Sequence, residues 1–374
     1  MMKKTRPGVL PVILCFAFFL CAGLTLHLAL PDKDRSENEN RVLSTAPKFT
    51  LKALFSGRFT ADFENYITDQ FPFRDNWLDL KSRSERAIGK TENNGVFFCG
   101  KDTLITRFKA PAESALEGGI RSVNALAANT GLPVTLALIP SAAEIWADRL
   151  PANADSADQA ALISQVYASV DAAAADVLSV LRSHADEPIF YRTDHHWTTL
   201  GAYYGYTATA EALGLTPQDL SRFRPQTVSD SFYGTVYSSS GVRWVKPDSI
   251  EIYVPDGDAE LIRYDSAEGS VSPVYDRSKL ETKDKYSMFL GGNTSLLVIR
   301  TGRPGGKLLV IRDSYADCEL PFFFAHYSEI HALDLRYYRQ SVSAYALDGD
   351  FDAILISYSL ADFVTDTSVF LMGT

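Results

Sequence analysis

The sequence has little of what builds a disulfide framework or a structural metal site. Its 374 residues include only four cysteines and six histidines. Cys15 and Cys21 fall in an apolar run near the N-terminus, which leaves Cys99 and Cys318, far apart and without Cys-x-x-Cys spacing. We predict that these two are free thiols or a dispensable pair. The stability of the fold must therefore come from a hydrophobic core.

The chain also has no excess of positive charge. It carries 36 lysines and arginines against 46 acidic residues, a formal net charge of −10. Because no basic face is evident, nucleic acid is not an expected partner. Hydrophobic residues make up 46% of the sequence, enough for one large domain or two small ones.

One long uncharged run lies near the N-terminus. Residues 8–30 contain no charged side chain, and Lys3, Lys4 and Arg6 precede them. At ~1.5 Å per residue, a helix of this length crosses a bilayer. The basic flank predicts residues 1–7 as a cytoplasmic tail, so the rest of the chain lies outside the cytoplasm. A cleaved signal peptide is the alternative, but no small-x-small site stands directly before the polar region. We predict an uncleaved anchor.

The chain after this anchor divides by composition. Residues 31–94 begin as a polar linker and continue as a helical region whose aromatic stripe indicates a core or docking face. Residues 95–374 alternate apolar runs with helical segments, which predicts an α/β fold, a parallel sheet with helices on both faces. Residues of about 223–300 are rich in Gly, Ser, Tyr and short β-branched runs. They predict a β-rich insertion of hairpins.

Apolar runs and helical periodicity place the individual elements. Strands are predicted at 96–98, 134–140, 188–191, 307–311 and 351–356, and helices at 51–90, 117–129, 155–184 and after residue 198. Pro72 is expected to interrupt the first helical region.

The most reactive stretch is Asp194-His195-His196, one carboxylate and two imidazoles in consecutive positions. It lies on a predicted strand-to-helix turn, where side chains often line a cleft. In an extended chain alternate side chains share a side, so Asp194 should face His196 while His195 points elsewhere. An Asp beside an imidazole fixes its tautomer, as a general base requires. The alternative is a structural histidine, satisfied at the start of a helix.

Ser314 follows the predicted strand 307–311, at the carboxyl end where parallel sheets hold their active sites. A serine there can attack a carbonyl while N–H groups of the next helix hold the oxyanion. A helix N-cap, formed by Asp313 or Ser314, is the alternative. Since Asp194, His196 and Ser314 all fall at predicted strand ends, the catalytic hypothesis gains support.

Asp194-His195-His196-Trp197 resembles the signature of the bacterial DHHW family. Segments 37–41, 69–75 and 313–315 resemble the same family, and the chain is more distantly similar to the alginate O-acetylation proteins AlgJ and AlgX. The resemblance implies an SGNH-hydrolase-like fold of three α/β/α layers, with Asp194, His196 and Ser314 as a catalytic triad. It implies a membrane-anchored serine-dependent O-acetyltransferase or acetylesterase that acts on a cell-surface polysaccharide. A membrane-bound O-acyltransferase is the implied acetyl-donor partner, and no cofactor or metal is expected.

Two positions depart from the wider superfamily. Arg312 stands where Gly usually precedes Asp-Ser, and Ser357-Tyr358-Ser359 replaces the usual oxyanion block. The Tyr358 hydroxyl is therefore a candidate oxyanion donor. Arg336 is a candidate for orienting substrate, with a structural ion pair as its alternative.

Two rival functions remain. The departures at Arg312 and Tyr358 leave open a non-catalytic envelope protein that binds or scaffolds polysaccharide on a degenerate SGNH fold. Asp-His-His alone also suggests a metal phosphoesterase, but the Asp-rich upstream motifs of such enzymes are absent from the sequence.

Overall fold

The computed structural model of the chain describes residues 9–374 and divides it into two compact units. One unit runs up to Lys90 and includes Gly241–Arg243, and the other comprises Thr91–Ser240 with Trp244–Thr374. The predicted cytoplasmic residues 1–7 lie outside the described residues. Within the described chain, α1 (Val9–Ala29) is the one helix long and apolar enough to cross a membrane, a property that a signal sequence shares.

The rest of the first unit is a short hairpin followed by three helices. Strands β1 (Arg35–Ser36) and β2 (Arg41–Val42) pair antiparallel. The helices are α2 (Leu51–Phe55), α3 (Arg58–Asp69) and α4 (Arg74–Ala87). The prediction of a helical region broken at Pro72 is confirmed, because Pro72 falls between α3 and α4.

Polar contacts join the hairpin to the helices. The Arg41 guanidinium pairs with Asp69, and the Arg74 Nη2 lies 2.9 Å from Glu39 Oε1. Burial alone would raise the pKa of Asp69. The hydrogen bonds from the Arg41 guanidinium and the Ser44 N–H have the larger effect and hold this pKa well below its usual range. The two segments that resemble family motifs, 37–41 and 69–75, therefore stabilise one another.

The second unit begins with a small antiparallel sheet. It comprises β3 (Glu92–Asn93), β4 (Val96–Cys99) and β5 (Thr103–Thr106). The predicted strand 96–98 is therefore present, but it does not belong to the central sheet.

An eight-stranded mixed sheet forms the centre of the second unit. Its parallel part comprises β6 (Val134–Ile139), β7 (Ala173–Ala174), β13 (Lys307–Arg312), β14 (Glu329–Leu333) and β15 (Ala353–Ser359). The order across this part is β14-β13-β15-β6-β7. The predicted strands 134–140, 307–311 and 351–356 are confirmed within a few residues. Residues 357–359, expected to follow the last strand, are instead its final three residues.

The β-rich insertion is only partly separate from this sheet. Strands β8 (Arg224–Phe232) and β9 (Asp248–Val254) form their own antiparallel pair. In contrast, β10 (Glu260–Tyr264), β11 (Ser270–Ser272) and β12 (Leu296–Arg300) continue the central sheet antiparallel from β14. The open edge of β14 offers unpaired backbone groups that these strands satisfy. The sheet is therefore mixed rather than purely parallel.

Helices cover both faces of the sheet. They are α5 (Glu113–Thr130), α6 (Ala142–Ile145), α7 (Gln159–Tyr167), α8 (Val177–Ser183), α9 (Thr199–Ala212), α10 (Thr235–Ser240), α11 (Ala316–Glu319), α12 (Val342–Asp348) and α13 (Leu360–Thr365). Alternate residues of β13 enter two different core clusters, one with α6, α8 and α9 and the other with α5, α7, α12 and α13. The result is three layers, α/β/α.

The prediction of one helical region over 155–184 is wrong. Strand β7 interrupts it, since Ala173 and Ala174 pair with Thr135 and Leu136 at the edge of the sheet. Alanine favours helix locally, but here the open edge of β6 overrides this propensity. Cys99 and Cys318 are both free thiols in the structure, as predicted.

Candidate active site

The Asp-His-His segment lies on a closed loop rather than at the end of a sheet strand. Phe190 and Trp197 form an isolated antiparallel bridge, and the Tyr191 N–H donates to His196 O at 3.2 Å. The predicted strand 188–191 is therefore wrong: these residues pair with the returning arm of their own loop. Helix α9 then begins at Thr199, capped by the Thr198 hydroxyl, which accepts from Gly201 N–H at 3.2 Å.

The structure brings together Asp194, His196 and Ser314. The His196 Nδ1 lies 2.5 Å from Asp194 Oδ1, and its Nε2 lies 2.8 Å from Ser314 Oγ. The Asp194 carboxylate can only accept a hydrogen bond, so His196 Nδ1 must carry the proton. His196 Nε2 is then unprotonated and accepts a hydrogen bond from the Ser314 hydroxyl. This is the hydrogen-bonded order that activates a serine nucleophile.

Asp194 is buried but well supplied with donors. Its Oδ2 accepts from the Thr235 N–H at 2.7 Å and from Thr235 Oγ1 at 2.9 Å, and its Oδ1 also accepts from His196 N–H at 3.1 Å. Desolvation alone would raise the pKa of this carboxyl. The neighbouring imidazoles of His195 and His196 and these hydrogen bonds outweigh desolvation and hold the pKa of Asp194 well below its usual range. The carboxylate therefore stays ionised beside the imidazole.

Thr235 and Gly234 are functional neighbours that the sequence analysis missed. Thr235 is the first residue of α10, so its N–H has no partner within the helix and is available to Asp194. A Cβ at Gly234 would lie 2.2 Å from the Asp194 Oδ2, so only glycine permits this approach. The Gly-Thr pair before a short apolar segment was the available signal, but nothing in it indicates Asp194 as its partner.

His195 does not point away from the site. Its ring centroid lies 3.8 Å from that of His196, and its Nδ1 lies 2.6 Å from Thr235 Oγ1. Asp194 faces His196 as predicted, but the prediction that His195 points elsewhere is wrong, because the loop is bent and not extended. Desolvation and then the charge of His196 lower the pKa of His195 to about 4, although 42% of the side chain is exposed. His195 is therefore a neutral neighbour of the Asp194–His196 pair at neutral pH.

Aromatic rings hold the His196 imidazole in place. Tyr286 stacks on it with centroids 3.7 Å apart and an interplanar angle of 8°. The Tyr286 hydroxyl donates to Ser314 O at 3.1 Å, so one side chain contacts both the base and the serine. Tyr315 donates to His195 O and accepts at its own carbonyl from Trp197 Nε1, 2.9 Å away. No motif in the sequence indicates Tyr286, which lies in the insertion.

Ser314 does not serve as a helix cap. The N-cap of α11 is Tyr315, without a side-chain cap hydrogen bond, so Asp313 is not a cap either. The Asp313 carboxylate instead accepts from Tyr315 N–H at 2.9 Å and from Ser359 N–H at 2.7 Å. Burial raises the pKa of Asp313 to about 7. Ser314 itself is half-buried, and its N–H donates no hydrogen bond to any residue between 9 and 374. Its hydroxyl and its N–H are both available to a reacting group.

Buried ionisable side chains flank Ser314 in the chain. Arg312, which replaces the usual glycine, is fully buried and pairs with Asp317. Burial raises the pKa of Asp317 to about 6, although Arg312 opposes the change. Burial likewise raises the pKa of Glu319 to about 7, and its Oε2 accepts from Ser357 Oγ at 2.8 Å. The departure at Arg312 thus forms a buried pair and leaves Ser314 accessible.

Tyr358 and Arg336 are not brought into contact with the serine. Tyr358 packs in the core cluster on the face of the sheet opposite the loop that holds His196. Arg336 forms a two-pronged pair with the buried Asp334, with Nε–Oδ1 at 2.9 Å and Nη2–Oδ2 at 2.7 Å. The geometry of Arg336 therefore matches the structural ion pair that was its alternative role.

The same loop contains three groups that metals use as ligands. Ligand atoms of Asp194, His195 and His196 lie within 4.8 Å of one another. A metal here would have to displace the bonds of His196 to Asp194 and Ser314, or that of His195 to Thr235. The hydrogen-bonded arrangement therefore fits proton transfer better than metal binding.

Fold and site together define a class: a three-layer α/β/α protein of the SGNH-hydrolase-like type, with a serine at the carboxyl end of a central strand. The family model described as DHHW protein matches residues 120–333. The chain therefore belongs to the DHHW family.

Other comparisons agree on the fold. A crystal structure of a DHHW family protein from Eubacterium siraeum has a TM-score of 0.65 at 24% identity, over 75% of this chain and 95% of that one. PatB1 of Bacillus cereus, solved with a sulfonyl adduct, has a TM-score of 0.61 at 15% identity, over 74% of this chain and 97% of its own.

One sequence relative bears a functional name. The probable alginate O-acetylase AlgJ of Pseudomonas aeruginosa is 28% identical over 174 residues, 43% of this chain. The match spans 44% of the length of that relative.

Proposed function

We propose that this protein is a serine-dependent O-acetyltransferase or acetylesterase of the cell envelope. The observation that carries the proposal is the pair of hydrogen bonds that links Asp194 to His196 and His196 to Ser314. The AlgJ relative, named as a probable alginate O-acetylase, supports acetyl transfer in particular. We assign Ser314 as nucleophile, His196 as general base and acid, and Asp194 as the group that orients His196.

The proposed reaction has two halves. Ser314 Oγ attacks the carbonyl of an acetyl ester and passes its proton to His196 Nε2. The imidazolium returns that proton to the departing alkoxide, which leaves an acetyl-serine. A hydroxyl of the acceptor, sugar or water, then attacks the acetyl group. His196 takes the proton of this hydroxyl and gives it back to Ser314.

The free N–H of Ser314 is our candidate for oxyanion stabilisation. A preorganised donor at the developing charge is commonly worth about 3 kcal/mol of barrier. The Tyr358 hydroxyl, buried on the opposite face, has no contact in support of this role.

The proposed substrate is a cell-surface polysaccharide, with acetyl groups supplied by a membrane-bound O-acyltransferase. We propose that residues 8–30 anchor the chain, that 31–94 form a linker and helical region, and that 95–374 form the catalytic domain outside the cytoplasm. Protease added to intact cells should then degrade the domain. Full protection would refute this topology, and loss of residues 1–30 from the mature protein would identify a cleaved signal.

An activated acetyl ester tests the chemistry. The purified protein should release acetate, or form acetyl-glycan when candidate glycans are added, and the partition between these products separates esterase from transferase. Ser314→Ala should abolish both. A fluorophosphonate should label the wild type and not Ser314→Ala. A folded wild-type protein that fails to react in both assays would favour the rival hypothesis of a binding or scaffolding protein.

A further inference from the structure

The first structural unit leaves large aromatic side chains uncovered. Phe49 is 60% exposed, Phe63 45%, Phe73 61% and Trp77 44%. Scattered apolar residues are ordinary on a protein surface, but a contiguous group indicates a contact surface. We define the aromatic face by six residues: Phe49, Phe59, Phe63, Phe71, Phe73 and Trp77.

Part of the aromatic face is a continuous ladder of rings. Phe59 lies between Phe49, at 5.2 Å, and Phe63, at 5.8 Å between centroids. The ladder continues from Phe63 to Tyr66 at 6.2 Å, and from Tyr66 to His27 at 5.4 Å. His27 is in the last turn of α1. The ladder therefore ends on the apolar helix itself.

A second contact lies farther along the same helix. The ring of Phe19 packs edge-on against Trp77 at 6.0 Å, and Trp77 Nε1 donates to Pro72 O at 3.2 Å. Phe19 precedes His27 by eight residues, about 12 Å along a helix. The start of α4 therefore lies beside the body of α1, so a bilayer that surrounds α1 also reaches Trp77.

The turn between α3 and α4 presents aromatic and polar groups separately. Phe73 has a φ of 57°, a left-handed conformation that is rare for a bulky residue, and its side chain remains mostly exposed. Its neighbours Arg74 and Asp75 bind Glu39 and Asn38 of the hairpin, at 2.9 and 2.8 Å. The polar side of the turn is thus satisfied within the protein while Phe73 is left uncovered.

We propose that the aromatic face docks on the lipid bilayer that α1 enters, with Trp77 reaching its acyl chains and Phe63 nearer the headgroups. Aromatic side chains favour the membrane interface, and amphipathic helices bury their apolar side there. Lipid is the occupant chosen because the face is continuous with the one helix in the described chain that can cross a membrane. The proposal needs that helix to be retained and is independent of the catalytic assignment.

Brominated lipids test this docking, because bromine quenches tryptophan only on contact with the acyl chains. The full chain, with α1 verified by intact mass, is reconstituted into phosphatidylcholine vesicles that carry bromine at mid-chain. Trp146 and Trp197 are buried in the second unit and serve as internal background. Wild-type emission should fall by up to about one quarter, the share of one tryptophan in four. Trp77→Phe, the matched control, should lose this quenching.

A second probe covers the ladder. In the Trp77→Phe background, Phe63→Trp should be quenched more by bromine near the headgroup than by bromine near the chain end. Quenching of Trp77 by aqueous iodide instead of by bromolipid would show that the face is in water. Protection from both quenchers would show that another protein or this chain covers it. Either result overturns the proposal, and circular dichroism confirms that both variants are folded.

Discussion

Replacing Thr235 by valine isolates one hydrogen bond of the candidate site. The substitution keeps the shape of the side chain and the backbone N–H that donates to Asp194 at 2.7 Å. It removes the hydroxyl that donates to Asp194 Oδ2 at 2.9 Å and accepts from His195 Nδ1 at 2.6 Å. Asp194 would then be less firmly oriented beside His196.

The expected magnitude follows from the setting of this bond. A hydrogen bond to a charged group contributes about 1.5–3 kcal/mol, and the lower end applies because Thr235 is exposed. About 1.4 kcal/mol corresponds to a factor of ten in rate. We therefore expect Thr235→Val to lower kcat/KM roughly tenfold, mainly through kcat, since the bond acts on the base and not on ground-state binding.

Hydrolysis of an activated acetyl ester is the assay, with Thr235→Ser as the matched control. Serine restores the hydroxyl without the methyl group and should recover most of the activity. A loss in Thr235→Ser together with wild-type rates in Thr235→Val would show that the methyl group matters and the hydrogen bond does not. Wild-type rates in both would exclude the Thr235 hydroxyl from the network that orients Asp194.

Four further substitutions have defined outcomes. A folded His196→Ala should lose about 10³-fold or more in acetyl-ester hydrolysis. His195→Ala should lose much less, and the reverse ranking would refute the assigned base. Gly234→Ala places a Cβ 2.2 Å from Asp194 Oδ2. We therefore expect its unfolding free energy in urea to be about 1–3 kcal/mol lower and its activity to be reduced. An unchanged unfolding free energy and activity would contradict the close approach. Burial raises the pKa of Glu319 from 4.5 to about 7, so ionising it destabilises the fold as the pH rises through that window. Between pH 5 and pH 8, the unfolding free energy of Glu319→Gln in urea should therefore fall by about 3 kcal/mol less than that of the wild type. Parallel pH profiles for the two proteins would contradict this expectation.

The sequence predicts the central strands because their signal is local. Strands β6, β13 and β15 are continuous apolar runs that sit fully inside the sheet, and their composition alone indicates burial. Strand β7 carries no such signal, since two alanines at an edge resemble the helices around them. Its pairing depends on the open edge of β6, which no local pattern records.

The sequence likewise predicts some residues of the candidate site and not others. Asp194, His196 and Ser314 could be selected from motifs, because each motif is short and chemically distinctive. The loop that brings His195 beside His196 is bent and closed by the hydrogen bond from Tyr191 N–H to His196 O, whereas the alternation of an extended chain places the two side chains apart. Thr235 follows Asp194 by 41 positions, and their contact exists only in the folded chain.

The position of β13 inside the sheet has a consequence for the order in which the protein matures. Both strands that hydrogen-bond to β13, β14 and β15, follow it in the chain. Ser314 and His196 are themselves 118 residues apart. A nascent chain that emerges N-terminus first therefore exposes the histidine loop long before the strand beneath the serine is paired on both sides. The arrangement of Asp194, His196 and Ser314 can therefore be complete only after synthesis has passed residue 359.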